Sequence, residues 1–297
     1  MYSKFEKEII NMQDSYTLMY GFISETIINE LGEIGDLIVR EGTRRYGRDR
    51  GIKRREEHIK NNINVNMLSL FSISSDLPSD PRFKRNLSKL TEEERNSHTL
   101  VCPMADIWSK YGMKKIGRIY CEEFHKASYE EYGFGYTQVN LSKTLTQDGD
   151  NYCDFHVVLR KSNVPPELRD VCFHEVECND NEDIKENDSI YAKEGFSSLC
   201  IRVYYYILEV LQEYSPELAE KIILKSLELW AENSYNRLKE SSFVRGENLD
   251  YEFVNNNFPL KIDINTEPLW EKYNKYNCKL LFQKGFYNNF LPKFKNE

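Results

Sequence analysis

The stretch at residues 139–160, VNLSKTLTQDGDNYCDFHVVLR, decides the fold class, because its pattern alternates where the flanking sequence has helical spacing. In its second half, apolar side chains fall on one face of a strand: Cys153, Phe155, Val157 and Leu159. His156 falls on the opposite face. The sequence QDGD between the two runs is typical of a turn, since Gly149 is free to adopt a positive φ. The stretch therefore predicts a β-hairpin over residues 137–161.

Residues 102–131, upstream of the hairpin, predict a pair of helices with a break at Gly112. Pro103 suits the first position of a helix, which places Cys102 near the N-cap. The second helix presents three residues on one face, at i, i+4 and i+8: Gly117, Cys121 and His125. We expect a functional site between these helices and the hairpin.

Helical spacing extends over both ends of the chain. Residues 15–60 predict two helices with a break at Gly32, and residues 196–245 predict two more. We therefore expect an α+β fold, mostly helical, with a small antiparallel sheet that contains the hairpin. A single domain over residues 1–297 is expected, in three parts: helices in 1–62, a helix pair plus hairpin core in 99–161, and a C-terminal helical half in 195–297.

The segments between these elements are less regular. Residues 64–74, NVNMLSLFSIS, are interpreted as a strand. Thr91 followed by Glu94 has the pattern of a capping box and predicts the start of a helix. Residues 162–195 are loop-rich and acidic, and residues 250–297 are interpreted as an irregular tail whose aromatic side chains pack on the body.

Composition restricts the class of protein. The chain has 297 residues and a formal net charge of −8, which argues against nucleic acid as a partner because binding it requires a basic face. No apolar run approaches the roughly 20 residues that cross a bilayer, so no membrane partner is expected. The N-terminus lacks the pattern of a signal peptide, and we expect a cytoplasmic protein. Seven cysteines, an odd number, favour free thiols, metal ligands or catalysis over a disulfide framework.

Three of these cysteines have local patterns that suit chemistry. Cys102, at a helix N-terminus, feels the positive end of the helix dipole, which favours the thiolate; Asp106 follows one turn later. Cys121 and His125 share a helix face and suit either a thiol–base pair or two metal ligands. Cys153 faces the core side of the hairpin. Each of these thiols also fits the alternative of a buried cysteine that only fills a core.

Two other features have a functional and a structural interpretation. Cys172, His174, Glu175 and Cys178 lie close together in the sequence, but their spacing is unusual for a zinc site. Residues 44–55 carry six arginines and a lysine, which fits a solvated helix face. The alternative is that one of these arginines turns inward and binds a substrate carboxylate, for which its planar guanidinium is suited.

Three motifs, CPMADIW, GRIYCEEFHKA and KTLTQDGDNYCDFHV, resemble the L-2-amino-thiazoline-4-carboxylate hydrolase family. The opening helices also resemble that family, and the likeness covers roughly residues 20–160. It implies hydrolysis at a non-peptide C–N bond of a small cyclic amidine; the named reaction opens an aminothiazoline ring to N-carbamoyl-cysteine. By this resemblance the positions that carry over are Cys102, Cys121, Asp150 and Cys153. His125 stands where many relatives have an acidic residue.

The resemblance leaves two mechanisms open. In the first, a cysteine thiolate attacks the amidine carbon while Asp150 or His125 protonates the departing nitrogen, with no cofactor. In the second, Cys102, Cys121 and Cys153 hold zinc or an iron–sulfur centre. The hairpin is also similar to small-molecule-sensing domains related to vinyl reductases, which implies a sensor or accessory protein as the alternative. In each case the expected partner is a small molecule, and the sequence leaves the oligomeric state open.

Overall fold

The computed structural model describes residues 2–73, 77–174 and 189–296. The helices are α1 Lys4–Leu31, α2 Glu33–Lys60, α3 Met67–Ser72, α4 Pro103–Lys110, α5 Lys114–Tyr132, α6 Pro166–Phe173, α7 Ser189–Tyr214, α8 Pro216–Arg245, α9 Tyr251–Asn257, α10 Leu269–Lys272, α11 Cys278–Phe282 and α12 Asn288–Phe290. The strands are β1 Lys84–Leu90, β2 Glu94–Val101, β3 Gln138–Lys143 and β4 Cys153–Val158. The predicted α+β class, mostly helical with a small antiparallel sheet, is confirmed.

The long helices form the larger part of the molecule. Helix α1 starts at a capping box, in which the Ser3 hydroxyl accepts the Glu6 N–H and the Glu6 carboxylate accepts the Ser3 N–H. It ends at the predicted break, Gly32. Helix α2 then packs between α5 and α7, and α1 packs on α8. Among the described residues, no helix combines the length and apolarity needed to cross a membrane.

The four strands form one antiparallel sheet in the order β1-β2-β4-β3. The predicted hairpin provides β3 and β4, joined by a turn in which Gly149 has a φ of +90°. On β4, Cys153, Phe155 and Val157 face inward as predicted. His156 faces outward, and its Nε2–H donates a hydrogen bond to the Glu94 Oε1 at 2.9 Å. The inward face of the sheet therefore lies against α5, where Phe155 and His125 have ring centroids 5.0 Å apart.

Apolar packing fixes the relative positions of α1, α4 and α5. Trp108 on α4 is 1% exposed, and its indole N–H donates to the Thr17 carbonyl at 3.0 Å. The rings of Tyr20 and Tyr120 pack against it. This part of the core holds the N-terminus of α4, and with it Cys102, at a fixed position above α5.

Two local predictions were wrong. Residues 67–72 form helix α3 instead of a strand, because Asn66 caps them: its Oδ1 accepts the Ser69 N–H at 2.9 Å. Thr91 does accept the Glu94 N–H, at 3.1 Å, as a capping box requires. That hydrogen bond closes the turn between β1 and β2 instead of starting a helix, since the pairing of the two strands decides the backbone on either side.

The later segments hold more regular structure than predicted. Residues 166–173 form α6, and short helical turns run through the tail, where aromatic rings stack on the body: Phe258, Phe282, Phe286 and Phe290. The predicted helices over residues 196–245 are confirmed as α7 and α8. Glu175 and Cys178 lie outside the described residues.

A buried histidine predicts loss of stability in acid. His58 is 1% exposed, and burial lowers its pKa to about 4. Between about pH 6.5 and pH 4, the unfolded chain therefore binds a proton at His58 and the folded chain does not. The contribution of His58 to stability is fully present above this range and is lost as the pH falls through it. We expect the free energy of unfolding, measured in urea at pH 7 and pH 5, to fall by at most about 1.4 kcal/mol per pH unit from this residue.

The matched variant is His58→Gln. In the wild type the Tyr132 hydroxyl lies 2.8 Å from His58 Nδ1; the variant removes the titrating ring but keeps a polar group opposite that hydroxyl. The variant should be less stable at pH 7 and should show a shallower dependence on pH. Equal slopes for the variant and the wild type would show that His58 does not contribute to acid sensitivity.

Candidate active site

Cys102 occupies the N-cap of α4, where the sequence predicted it, with Pro103 at the first helical position. The backbone N–H groups of Met104 and Ala105 point at its sulfur and favour the thiolate. Burial outweighs them and raises the pKa of the Cys102 thiol to about 11. The residue is nevertheless only partly buried, whereas Cys121 and Cys153 are buried. Of these three cysteines, Cys102 is therefore the least buried residue.

Cys121 lies on α5, on the face that meets the hairpin turn. The Thr146 hydroxyl hydrogen-bonds its sulfur and is itself 2.7 Å from the Thr144 hydroxyl. Burial raises the pKa of the Cys121 thiol well above its ordinary value, and the charges that Cys102 and Cys153 would carry as thiolates raise it further. Cys121 is therefore held as a neutral thiol within electrostatic reach of the other two sulfurs.

Cys153 starts β4 and faces the same space. Its sulfur accepts the Leu145 N–H at 3.3 Å, and burial raises its pKa. Asp150 lies near enough for its charge to raise that pKa as well, while the Asp150 Oδ2 accepts the Thr144 N–H at 2.9 Å. The hairpin turn therefore places one thiol and one carboxylate beside Cys102 and Cys121. We call Cys102, Cys121 and Cys153 the cysteine site.

His125 is set deeply among aromatic rings, one helical turn from Cys121. Burial, together with the smaller effect of the positive charges of Arg85 and Arg95, lowers its pKa to about 3. Its Nδ1 is sealed and has no hydrogen-bond partner within the described parts of the chain. His125 is therefore a neutral imidazole at neutral pH, placed beside the cysteine site with unused hydrogen-bonding capacity.

Asp106 lies apart from the other candidates. It is exposed on the first turn of α4, while the adjacent Ala105 and Ile107 are buried. The structure thus brings together Cys102, Cys121, Cys153, Asp150 and His125, and it leaves Asp106 at the solvent side of the same helix.

No group of three or more His, Cys, Asp and Glu side chains has an arrangement that suits a metal ion, over residues 2–73, 77–174 and 189–296. Zinc or an iron–sulfur centre at the cysteine site stays a prediction, and no chemical step below uses one. Cys172 lies on α6 and is sealed in a second apolar cluster with Tyr132 and Val157.

The arginines on α2 bind carboxylates of the chain itself. Arg40 contacts Glu122 and Glu123 on α5, each at 2.9 Å, and Arg45 contacts Glu209 and Glu213 on α7. These ion pairs hold α2 between its two neighbours. They give Arg45 a structural role in place of the alternative contact with a substrate; Arg40 lies outside the 44–55 stretch to which that alternative applies.

Sequence reasoning missed two arginines and a threonine near the cysteine site: Arg85, Arg95 and Thr146. Arg95, Ser97 and Thr99 alternate along β2 and share the inward face of the sheet. The sequence does contain this alternation, with a period of two. Because all three alternating residues are polar, the pattern resembles a loop or a helix start more than a strand.

One comparison with known proteins finds a family similar to the part of the chain that carries these residues. Residues 12–157 match the model of a family described as L-2-amino-thiazoline-4-carboxylic acid hydrolase. Over those residues, just under half of the chain, the sequence is similar to this family. The matched range runs from α1 to β4 and so contains the whole cysteine site together with Asp150 and His125.

The resemblance that the motifs indicated is thereby confirmed, and the family's name describes a hydrolase. No curated protein and no solved structure matches the chain. The residues that match the hydrolase family include the N-terminal helices, the sheet and the α4–α5 pair. Helices α7 and α8 and the tail lie beyond the matched residues.

Proposed function

We propose that the protein is a hydrolase that opens the ring of a small cyclic amidine, such as an aminothiazoline carboxylate, with Cys102 as the nucleophile. The observation that carries the proposal is the position of Cys102: a partly buried residue at a helix N-cap, within electrostatic reach of two buried thiols, in the part of the chain that matches the hydrolase family. The match to the hydrolase family supports the reaction class. The partial burial of Cys102, compared with the burial of Cys121 and Cys153, supports Cys102 as the nucleophile.

In the proposed reaction the Cys102 thiolate attacks the amidine carbon and forms a C–S bond to it. One ring bond at that carbon then breaks, and the departing atom takes a proton that Asp150 relays from water. Water attacks the resulting thio-linked carbon and releases Cys102 as the thiolate. The neutral His125 serves as a hydrogen-bonding group for the amidine, because its low pKa makes it a poor acid.

Two products have the same overall composition, that of the substrate plus one water. Cleavage of the ring C–N bond leaves a carbamoyl group on sulfur and a free amine, which is not the N-carbamoyl-cysteine of the family's named reaction. Cleavage of the ring C–S bond leaves N-carbamoyl-cysteine with a free thiol. A thiol reagent and an amine reagent applied to the product therefore tell which bond breaks.

The experiment is turnover of 2-aminothiazoline-4-carboxylate by the purified full-length chain, with products separated by liquid chromatography and identified by mass. A covalent adduct on the Cys102 peptide, trapped by acid quench, is the expected intermediate. Absence of turnover would overturn the proposed substrate. Stoichiometric zinc or iron in the active protein would overturn the free-thiolate mechanism and favour the metal alternative.

The rate should depend on pH through Cys102. Since the pKa of its thiol is about 11, only a small fraction is thiolate at pH 7. We expect kcat/KM to rise by about tenfold per pH unit between pH 7 and 9, with no inflection near 6.5, because His125 stays neutral there. The measurement is a pH–rate profile at constant ionic strength. A plateau that begins near pH 6.5 would contradict the assignment of the nucleophile.

A further inference from the structure

Arg95 on β2 carries a buried positive charge that no acidic side chain offsets in the described chain. The residue is 9% exposed, and its guanidinium lies over the Phe71 ring, 4.2 Å from the centroid. Burial lowers its pKa. A buried arginine is ordinarily paired with a carboxylate, as Arg202 on α7 is with Asp49, because an unpaired buried charge is costly. The contrast marks Arg95 as a group whose partner comes from outside the chain.

The side-chain donors of Arg95 lack partners among the described residues without being fully sealed from solvent. In the described ranges the Arg95 guanidinium forms no hydrogen bond. Its nitrogens are nevertheless not sealed from solvent, as other unpartnered polar atoms are. Beside it on the same face, Ser97 Oγ is sealed and also lacks a partner. The inward face of β2 therefore carries two groups without hydrogen-bond partners in the described chain, the Arg95 guanidinium and the sealed Ser97 hydroxyl. Ser97 pairs with Phe155 across the sheet.

Arg85 provides a second guanidinium on the neighbouring strand. It pairs with Thr99, which in turn pairs with Cys153, so these three residues form one row across the sheet. Its guanidinium lies 4.2 Å from the Phe83 centroid, and no acidic side chain in the described part of the chain pairs with it. Its charge lowers the pKa values of His125, Cys102 and Arg95. Arg85 thus lies within electrostatic reach of the cysteine site and of Arg95 together.

We propose that Arg85 and Arg95 form a carboxylate-binding site that holds the acid group of the substrate while its ring lies against the cysteine site. The planar guanidinium suits a planar carboxylate, and two positive charges within electrostatic reach of each other, with no carboxylate of the described chain paired to either, favour an anion. Arg95 is the fixed, buried member, and Arg85, on the exposed edge strand, is the member nearer solvent. The identity of the ring rests on the proposed function; the anion site itself does not.

The experiment uses a ring acid that lacks the reactive amidine. Isothermal titration measures binding of thiazole-4-carboxylate and of its neutral analogue, thiazole-4-carboxamide, to the full-length protein. We expect the carboxylate to bind at least about tenfold more tightly than the carboxamide. Arg95→Met and Arg85→Met should each remove most of this preference, and Arg95→Lys should restore part of it because the charge returns without the planar fork.

Two controls separate binding from folding and from net charge. Lys89→Met removes one positive charge from β1 at a position that contacts Glu94, at 2.5 Å, and should leave the preference unchanged. The urea midpoint of Arg95→Met should equal or exceed that of the wild type, since replacing a buried unpaired charge by an apolar side chain is often stabilising. A structural arginine would instead lower that midpoint.

The outcomes distinguish this proposal from the proposed function. The anion site is overturned if the wild type does not bind the carboxylate more tightly than the carboxamide, or if Arg95→Met keeps this preference unchanged. Either result overturns the anion site even when the protein turns over aminothiazoline carboxylate. Arg95-dependent binding of thiazole-4-carboxylate in a protein that does not turn over the aminothiazoline supports the anion site and overturns the proposed substrate.

Discussion

Replacing Cys102 with alanine should lower kcat/KM for aminothiazoline carboxylate by about a thousandfold or more, because it removes the atom that forms the covalent intermediate. Cys121→Ala and Cys153→Ala should cost less, since these thiols are buried and act on Cys102 through packing and charge. The measurement is steady-state kinetics of the three variants, with circular dichroism to show that each is folded.

Cys172→Ala is the matched control for this series. Cys172 is a sealed thiol in the second apolar cluster, away from the cysteine site, so its loss should reduce stability and leave kcat/KM within about twofold. Full activity in Cys102→Ala together with inactivity in a folded Cys153→Ala would transfer the role of nucleophile to Cys153. Activity in all three variants would remove the basis for a cysteine mechanism.

Replacing Gly117 with alanine should lower the free energy of unfolding by about 2 kcal/mol or more, the effect of forcing an extra atom into a packed core. A Cβ on Gly117 would lie 2.3 Å from Cε3 of Trp108 and 3.0 Å from Cγ2 of Thr146. Trp108 cannot easily retreat, because its indole N–H is bound to the Thr17 carbonyl. Urea denaturation followed by tryptophan fluorescence measures the change.

Gly112→Ala is the matched control for packing. Gly112 has a φ of +73° and no atom within 4 Å of an added Cβ, so its substitution adds backbone strain of about 1 kcal/mol but no overlap. If Gly117→Ala were no less stable than Gly112→Ala, the close approach of α4 to α5 would not be a fixed feature. The position of Cys102 above α5 would then lose its structural support.

The sequence predicted the elements whose information is local. Alternation over residues 139–160 fixed the hairpin and the inward direction of Cys153, and helical spacing fixed the long helices up to Gly32 and Gly112. These patterns are strong because each repeats over several turns or strand residues. Short segments failed for the same reason: residues 64–74 contain too few repeats to separate a strand from a helix.

Thr91 and Glu94 show the second kind of failure. The same hydrogen bond, from the Glu94 N–H to the Thr91 hydroxyl, serves a helix start and a strand turn. What decides between them is the pairing of β1 with β2 and of β2 with β4, which joins residues distant in sequence. The mistaken helix hid β2, and with it the alternation that places Arg95 beside the cysteine site.

By itself, the sequence determined the secondary structure of the long repeats, the N-cap position of Cys102 and the likeness to a hydrolase family. Only the tertiary structure decided which thiol is partly exposed and which arginines lack a carboxylate. Arg40 and Arg95 are the same residue type, yet one contacts glutamates on a neighbouring helix and the other contacts an aromatic ring. Exposure and pairing depend on which distant segments pack together, and local sequence patterns do not encode that packing.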